Sequence, residues 1–70
     1  MRVALDTNRY VDLCRDDSTV VDVVETADWV YLPFVVLAEL RAGFGLGNRG
    51  AENERTLRKF LTKEGVEVLY

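Results

Sequence analysis

Three short apolar runs, at residues 1–5, 29–32 and 66–70, are separated by segments that read as helices. A parallel strand pair needs a crossover of about a dozen residues or more, and both intervening segments are long enough to supply one. The pattern predicts an α/β fold of βαβ units, with parallel strands joined by right-handed crossovers. Asp6-Thr7-Asn8 marks a helix start, because short oxygen-bearing side chains accept bonds from first-turn amides. Tyr10, Val11, Leu13 and Cys14 supply that helix's apolar positions, and Asp16-Asp17-Ser18 breaks it and caps the next. Over residues 19–27, Val20, Val21, Val23 and Val24 recur at helical spacing, with strand as the competing reading of so many β-branched residues. Pro33 suits a first helical turn. Phe34, Leu37, Leu40, Arg41 and Phe44 then give a helix expected to end in Gly43, Gly45 and Gly47. A further helix is expected over residues 51–63, packing through Leu57, Phe60 and Leu61 and closed by Gly65. Trp29, Tyr31, Phe34, Phe44 and Phe60 fall at packing positions, where aromatics usually bury area. Tyr10 reads as core too.

No linker or repeat divides the chain, so one domain or part of one is expected across its 70 residues. Apolar residues make up 49% and charged residues 30%, which is globular rather than disordered. Chains this short usually need a staple or a partner. The single cysteine cannot form an internal disulfide and there is no histidine for a zinc site, so more chain or a second subunit is expected. Three parallel strands alone would leave an edge and at least one face poorly covered, and the chain reads as interrupted. Asp6 stops the opening apolar run far short of a signal sequence, and no stretch approaches a membrane span. With this cysteine usage, a cytoplasmic location without membrane attachment is expected. Cys14 reads as a small apolar helix residue.

The net charge of −3 hides an asymmetry. Residues 1–40 carry eight acids against Arg2, Arg9 and Arg15, whereas residues 41–63 carry six cations against Glu52 and Glu54. Such a division can set a cation site beside a phosphate-binding surface, or it can be a solvated helix face. Arg41, Arg49, Arg55, Arg58 and Lys59 are the candidate phosphate contacts, which would position a nucleic acid without reading its bases. Gly45-Leu46-Gly47-Asn48-Arg49-Gly50 has dinucleotide-fingerprint spacing, but the glycines follow an expected helix instead of a strand. A helix–helix loop is the better reading.

In open parallel sheets, ligands bind beyond the carboxyl ends of the strands. Asp6 falls at that end of the first strand. Glu39 lies about two turns into the helix that leaves the same edge after the second. Two converging acids repel unless a cation lies between them, and magnesium is the usual hard ion for oxygen ligands. Spacing alone leaves a second reading open, with Asp6 as a helix cap and Glu39 as a surface acid paired with an arginine.

Val3-Ala4-Leu5-Asp6-Thr7-Asn8 resembles the opening of PIN domains, where an apolar strand runs into an Asp-Thr/Ser-Asn triplet. Leu32-Pro33 and Val36-Leu37-Ala38-Glu39-Leu40-Arg41-Ala42-Gly43 resemble that family's second motif, an apolar helix bearing its second acid. Order and spacing both fit, and the resemblance covers essentially the whole chain as the N-terminal part, residues 1–70, of a single PIN-like domain. It implies a three-layer fold, incomplete here, and a magnesium- or manganese-dependent ribonuclease of the VapC toxin type that cuts single-stranded RNA and is silenced by an antitoxin protein. Asp6 and Glu39 would be the metal ligands and catalytic acids, with Thr7 and Asn8 supporting Asp6 at the end of the first strand. The family draws a third acid, and often a fourth, from later strands. Glu64 and Glu67 lack the motif to replace them, so the 70-residue chain alone is expected to be weak or inactive, with a homodimer or another chain as the means of completion. The alternative is a non-catalytic binding or assembly module that keeps the fold and an apolar groove. A phosphotransfer receiver is a poorer match, because residues 66–70 supply no phosphorylatable aspartate.

Overall fold

The structure is a computed structural model describing residues 1–70. Its elements run β1 (Arg2–Ala4), α1 (Thr7–Cys14), α2 (Ser18–Thr26), β2 (Trp29–Pro33), α3 (Phe34–Leu46), α4 (Gly50–Leu61) and β3 (Val66–Leu69). The strands form one parallel sheet in the order β1-β2-β3. Arg2 stands level with Trp29, Ala4 with Tyr31, and Tyr31 in turn with Glu67. The expected α/β class and strand–helix order are therefore present.

Local chemistry explains most of the boundaries. Asp6 has extended backbone and caps α1, with its Oδ1 accepting from the Arg9 amide at 2.8 Å. Asp17 caps α2 by accepting from the Thr19 and Val20 amides at 3.1 and 3.2 Å, so the valine-rich segment is a helix. Asp16, at φ +59°, makes the left-handed turn between the two helices, a region aspartate tolerates better than most residues. Gly65 adopts φ +83° with the Asp28 carbonyl 3.1 Å from where a Cβ would stand. That position requires glycine on both counts.

Two expectations need correction. Gly43 and Gly45 do not end α3, which continues through both to Leu46. Glycine in a helix interior costs about 1 kcal/mol relative to alanine. Here the buried Val36, Leu37 and Leu40, with the partly buried Phe44, anchor the helix through that cost. Pro33 ends β2 and occupies the N-cap position of α3, just before the first turn.

Strand residues alternate strictly between two environments. Val3, Val30, Leu32, Val66 and Val68 join Tyr10, Val36, Leu37, Leu40, Leu57 and Phe60 in the core. Tyr10 and Phe60 meet edge to face with centroids 5.5 Å apart. All four helices contribute to this one packed layer, and the opposite face of the sheet has no cover. Trp29 and Phe34, expected in the core, are 39% and 55% exposed. Trp29 lies on the uncovered face. Phe34 starts α3 and stacks on Tyr70 with centroids 6.1 Å apart. No helix is long and apolar enough to cross a membrane.

Candidate functional site

The carboxyl end of the sheet is built by two strand-to-helix transitions. At β1, the chain passes through buried Leu5, whose amide bonds the Tyr31 carbonyl at 3.0 Å, and then delivers Asp6 at the edge. At β2 it passes directly through Pro33 into α3, placing Glu39 in the second turn. Glu39 and Asp6 are both exposed. The two transitions are joined by one side-chain bond: Thr7 Oγ1 donates to Glu39 Oε1 at 3.1 Å. Glu39 thus reaches the residue beside Asp6 although the two acids are far apart in sequence.

Each carboxylate has one oxygen engaged and one without a protein partner. Asp6 Oδ1 holds the α1 cap while Oδ2 makes no hydrogen bond; Glu39 Oε1 accepts from Thr7 while Oε2 is likewise unengaged. Neither acid makes an ion pair with a cationic side chain, unlike Asp12, Glu52 and Glu54, although Asp16, Asp22, Glu25, Glu64 and Glu67 are unpaired as well. Two hard oxygen donors with open positions suit a magnesium- or manganese-sized cation that retains several waters. No group of three or more ligating side chains forms around them.

The supporting residues differ from expectation in detail. Asp6 is oriented by the helix it caps. Thr7 orients Glu39, and Asn8 is exposed with no side-chain hydrogen bond. The Thr7–Glu39 link was missed by reading the triplet as local support for its own aspartate. No local pattern signalled it, because the bond spans two helices 32 residues apart in sequence.

The cations form a separate region. Residues two apart on a helix point roughly 200° apart, so Arg41 lies on the side of α3 away from Glu39. Arg41 makes a bidentate pair with Glu54 of α4 at 3.1 and 2.9 Å, and Glu54 also accepts from Arg58 Nε at 3.1 Å. The Arg41 bond, aided by Arg58, holds the Glu54 carboxyl below its usual range. Arg49 is bidentate with Glu52. Of the candidate phosphate contacts, Arg41, Arg49 and Arg58 thus have internal carboxylate partners, while Arg55 and Lys59 have none. Lys63, beyond the end of α4, is also unpaired.

A groove of about 530 Å³ runs between α2 and α4. Val24, Ala27, Val30, Phe60 and Val66 contribute apolar lining, and Asp16, Glu25, Asp28, Lys59, Lys63 and Glu64 contribute charges of both signs. A second, of about 510 Å³, lies between α1 and the α3–α4 turn. Asp6 and Glu39 line neither, and the two acids stand on an open edge. Tyr10 borders both grooves, and burial pushes its phenol well above the ordinary range. Cys14 is a free, exposed thiol at the end of α1.

Comparison of the chain with family models, with curated proteins and with solved structures gives no match.

Proposed function

We propose that this chain carries the metal-binding half of a PIN-like endoribonuclease site, with Asp6 and Glu39 as its first two acids. The observation that carries the reading is the Thr7–Glu39 bond. It ties the second acid to the residue next to the first, at the edge of a parallel sheet where such folds bind ligands. The two motifs that resemble the PIN family stand at the two transitions that build this edge.

Under this reading, a bound magnesium or manganese ion would polarise the scissile phosphate and lower the pKa of the attacking water. The protein's own contribution is geometric and electrostatic. Asp6 is held by its cap and Glu39 by Thr7, so both carboxylates present a fixed oxygen. Arg55 and Lys59, unpaired on α4, are the cations most open to an RNA backbone, and binding at Arg41, Arg49 or Arg58 requires displacing a carboxylate. The complete three-layer fold, the remaining acids and a toxin role belong to the same proposal. So does an antitoxin held in the α2–α4 groove, whose apolar floor and charged rim suit an amphipathic segment.

The same groove favours a second reading, a binding module that keeps the fold without cleavage. A cleavage assay separates the two. The full-length protein, with the remaining acids in place, is expected to cut single-stranded RNA with added magnesium, and EDTA, Asp6→Asn or Glu39→Gln is expected to abolish the cut. Undiminished cleavage by both variants rejects the assigned roles. RNA left intact by the unaltered protein with its partners present favours the module.

A further inference from the structure

We infer that the groove between α1 and the α3–α4 turn holds one nucleotide of the RNA strand, with its base against Phe44 and its phosphate on Arg15. The substrate class rests on the nuclease reading, whereas the groove itself is lined by neither acid of that site. Its volume of about 510 Å³ falls in the range of small-ligand sites. Val11, Leu40 and the half-buried ring of Phe44 give it an apolar side, and Arg15, Arg49 and Asn53 give it a polar one.

Charge separates this groove from the α2–α4 groove. Four acids and two lysines line the α2–α4 groove, a balance that repels a polyanion. Here two arginines stand with only Glu52. Arg49 is already bidentate with that glutamate, but Arg15 makes no ion pair and is the free cation of the groove. A guanidinium that no carboxylate holds can take a phosphate through two parallel bonds.

A phosphate contact positions a strand, and an accessible aromatic ring then supplies what single-stranded bases use, because every base has a face to stack. Asn53 is exposed and its side-chain amide makes no hydrogen bond within the chain. It leaves a donor and an acceptor for a base edge, and adenine is the base such an amide pairs bidentately. Arg15 ends α1 roughly 13 Å along the helix axis from the Asp6 cap, a distance that a strand of a few nucleotides spans.

Cys14 is the single cysteine, an exposed thiol lining this groove, and its alkylation by iodoacetamide reports occupancy. The chain is alkylated with EDTA present, so that no RNA is cut. A single-stranded adenosine octamer is expected to slow the reaction about fivefold or more at saturation, and inorganic polyphosphate of equal charge by less than about twofold. Phe44→Leu keeps the apolar packing and removes the ring; Arg15→Gln removes an exposed, unbonded charge. Each should raise the octamer concentration for half-maximal protection about tenfold. No protection at about 1 mM octamer overturns the assignment. Polyphosphate protecting as well as the octamer, or protection that ignores either substitution, overturns it too. Adenosine monophosphate as effective as the octamer would make this a free-nucleotide pocket and end its role in holding a strand. Asp6→Asn should leave protection unchanged, so an empty groove and a failed metal site give different results.

Discussion

Glu39 and Glu54 are two glutamates beside the same helix with opposite circumstances. Glu54, on α4, is gripped by Arg41 from α3 and by Arg58 one turn further along its own helix. Its charge is compensated, and it ties α3 to α4. Glu39 faces the other side of α3, where its only partner is the neutral hydroxyl of Thr7. A carboxylate used for stability attracts cations from its own chain. One without such a partner keeps its charge free, as a ligand for an external cation would.

Substitutions can break that contrast. The largest expected effect is on cleavage by the full-length protein: Glu39→Gln or Asp6→Asn should lower it by about a hundredfold or more, since either removes a charge from the proposed metal site. Thermal stability should hold or rise slightly. The amide oxygen left at position 39 still accepts from Thr7, and the one at position 6 still caps α1. Next comes Thr7→Val, which keeps the shape and removes the bond. It should raise the magnesium concentration for half-maximal cleavage about tenfold, with Thr7→Ser restoring it. An unchanged magnesium requirement would show that Glu39 needs no such holder.

Glu54→Gln should do the reverse of Glu39→Gln. Cleavage at saturating magnesium should stay within about twofold, while the melting midpoint falls by about 4 °C, of the order a surface network provides. Loss of cleavage without loss of stability would erase the distinction between the two glutamates. The smallest effect is a pH dependence. Arg41, and then Arg58, hold Glu54 ionised in the folded chain, so its folded pKa lies below the ordinary 4.5. As pH falls, the unfolded chain takes up its proton first. The contribution is therefore whole above about pH 4.5 and drains away as pH drops through the lowered folded value. Asp28, held down by the N-terminal ammonium, acts with the same sign. Acid unfolding curves should be shallower in that window for Glu54→Gln.

The sequence made the framework legible because each transition is written in local chemistry. Asp6 and Asp17 are caps whose acceptor role follows from residue type and position, and Gly65 sits where the chain must turn left-handed. The glycines of α3 misled because glycine's helix penalty is about the size of one packing contact, and buried Leu37 and Leu40 outweigh it. Phe34 was misplaced because it opens α3 at the rim, where it meets Tyr70, and Trp29 because aromatic character says nothing about which face of a one-sided sheet a residue occupies. Only the alternation set by Val30 and Leu32 decides that. The placing of Asp6 at the end of β1 and of Glu39 in the second turn of α3 was legible. Their link through Thr7, and the arginines' prior engagement by Glu52 and Glu54, depend on tertiary geometry that no local pattern encodes.

The account stands or falls on Asp6 and Glu39 sharing one divalent ion. Manganese titration of the isotopically labelled chain, followed by paramagnetic broadening of backbone amides, reads this without needing turnover. Broadening is expected to centre on residues 6–8 and 38–40 together, and either Asp6→Asn or Glu39→Gln should relieve it at both segments. Broadening that follows the two acids independently, or that gathers around Glu25 and Asp28, would contradict a shared site.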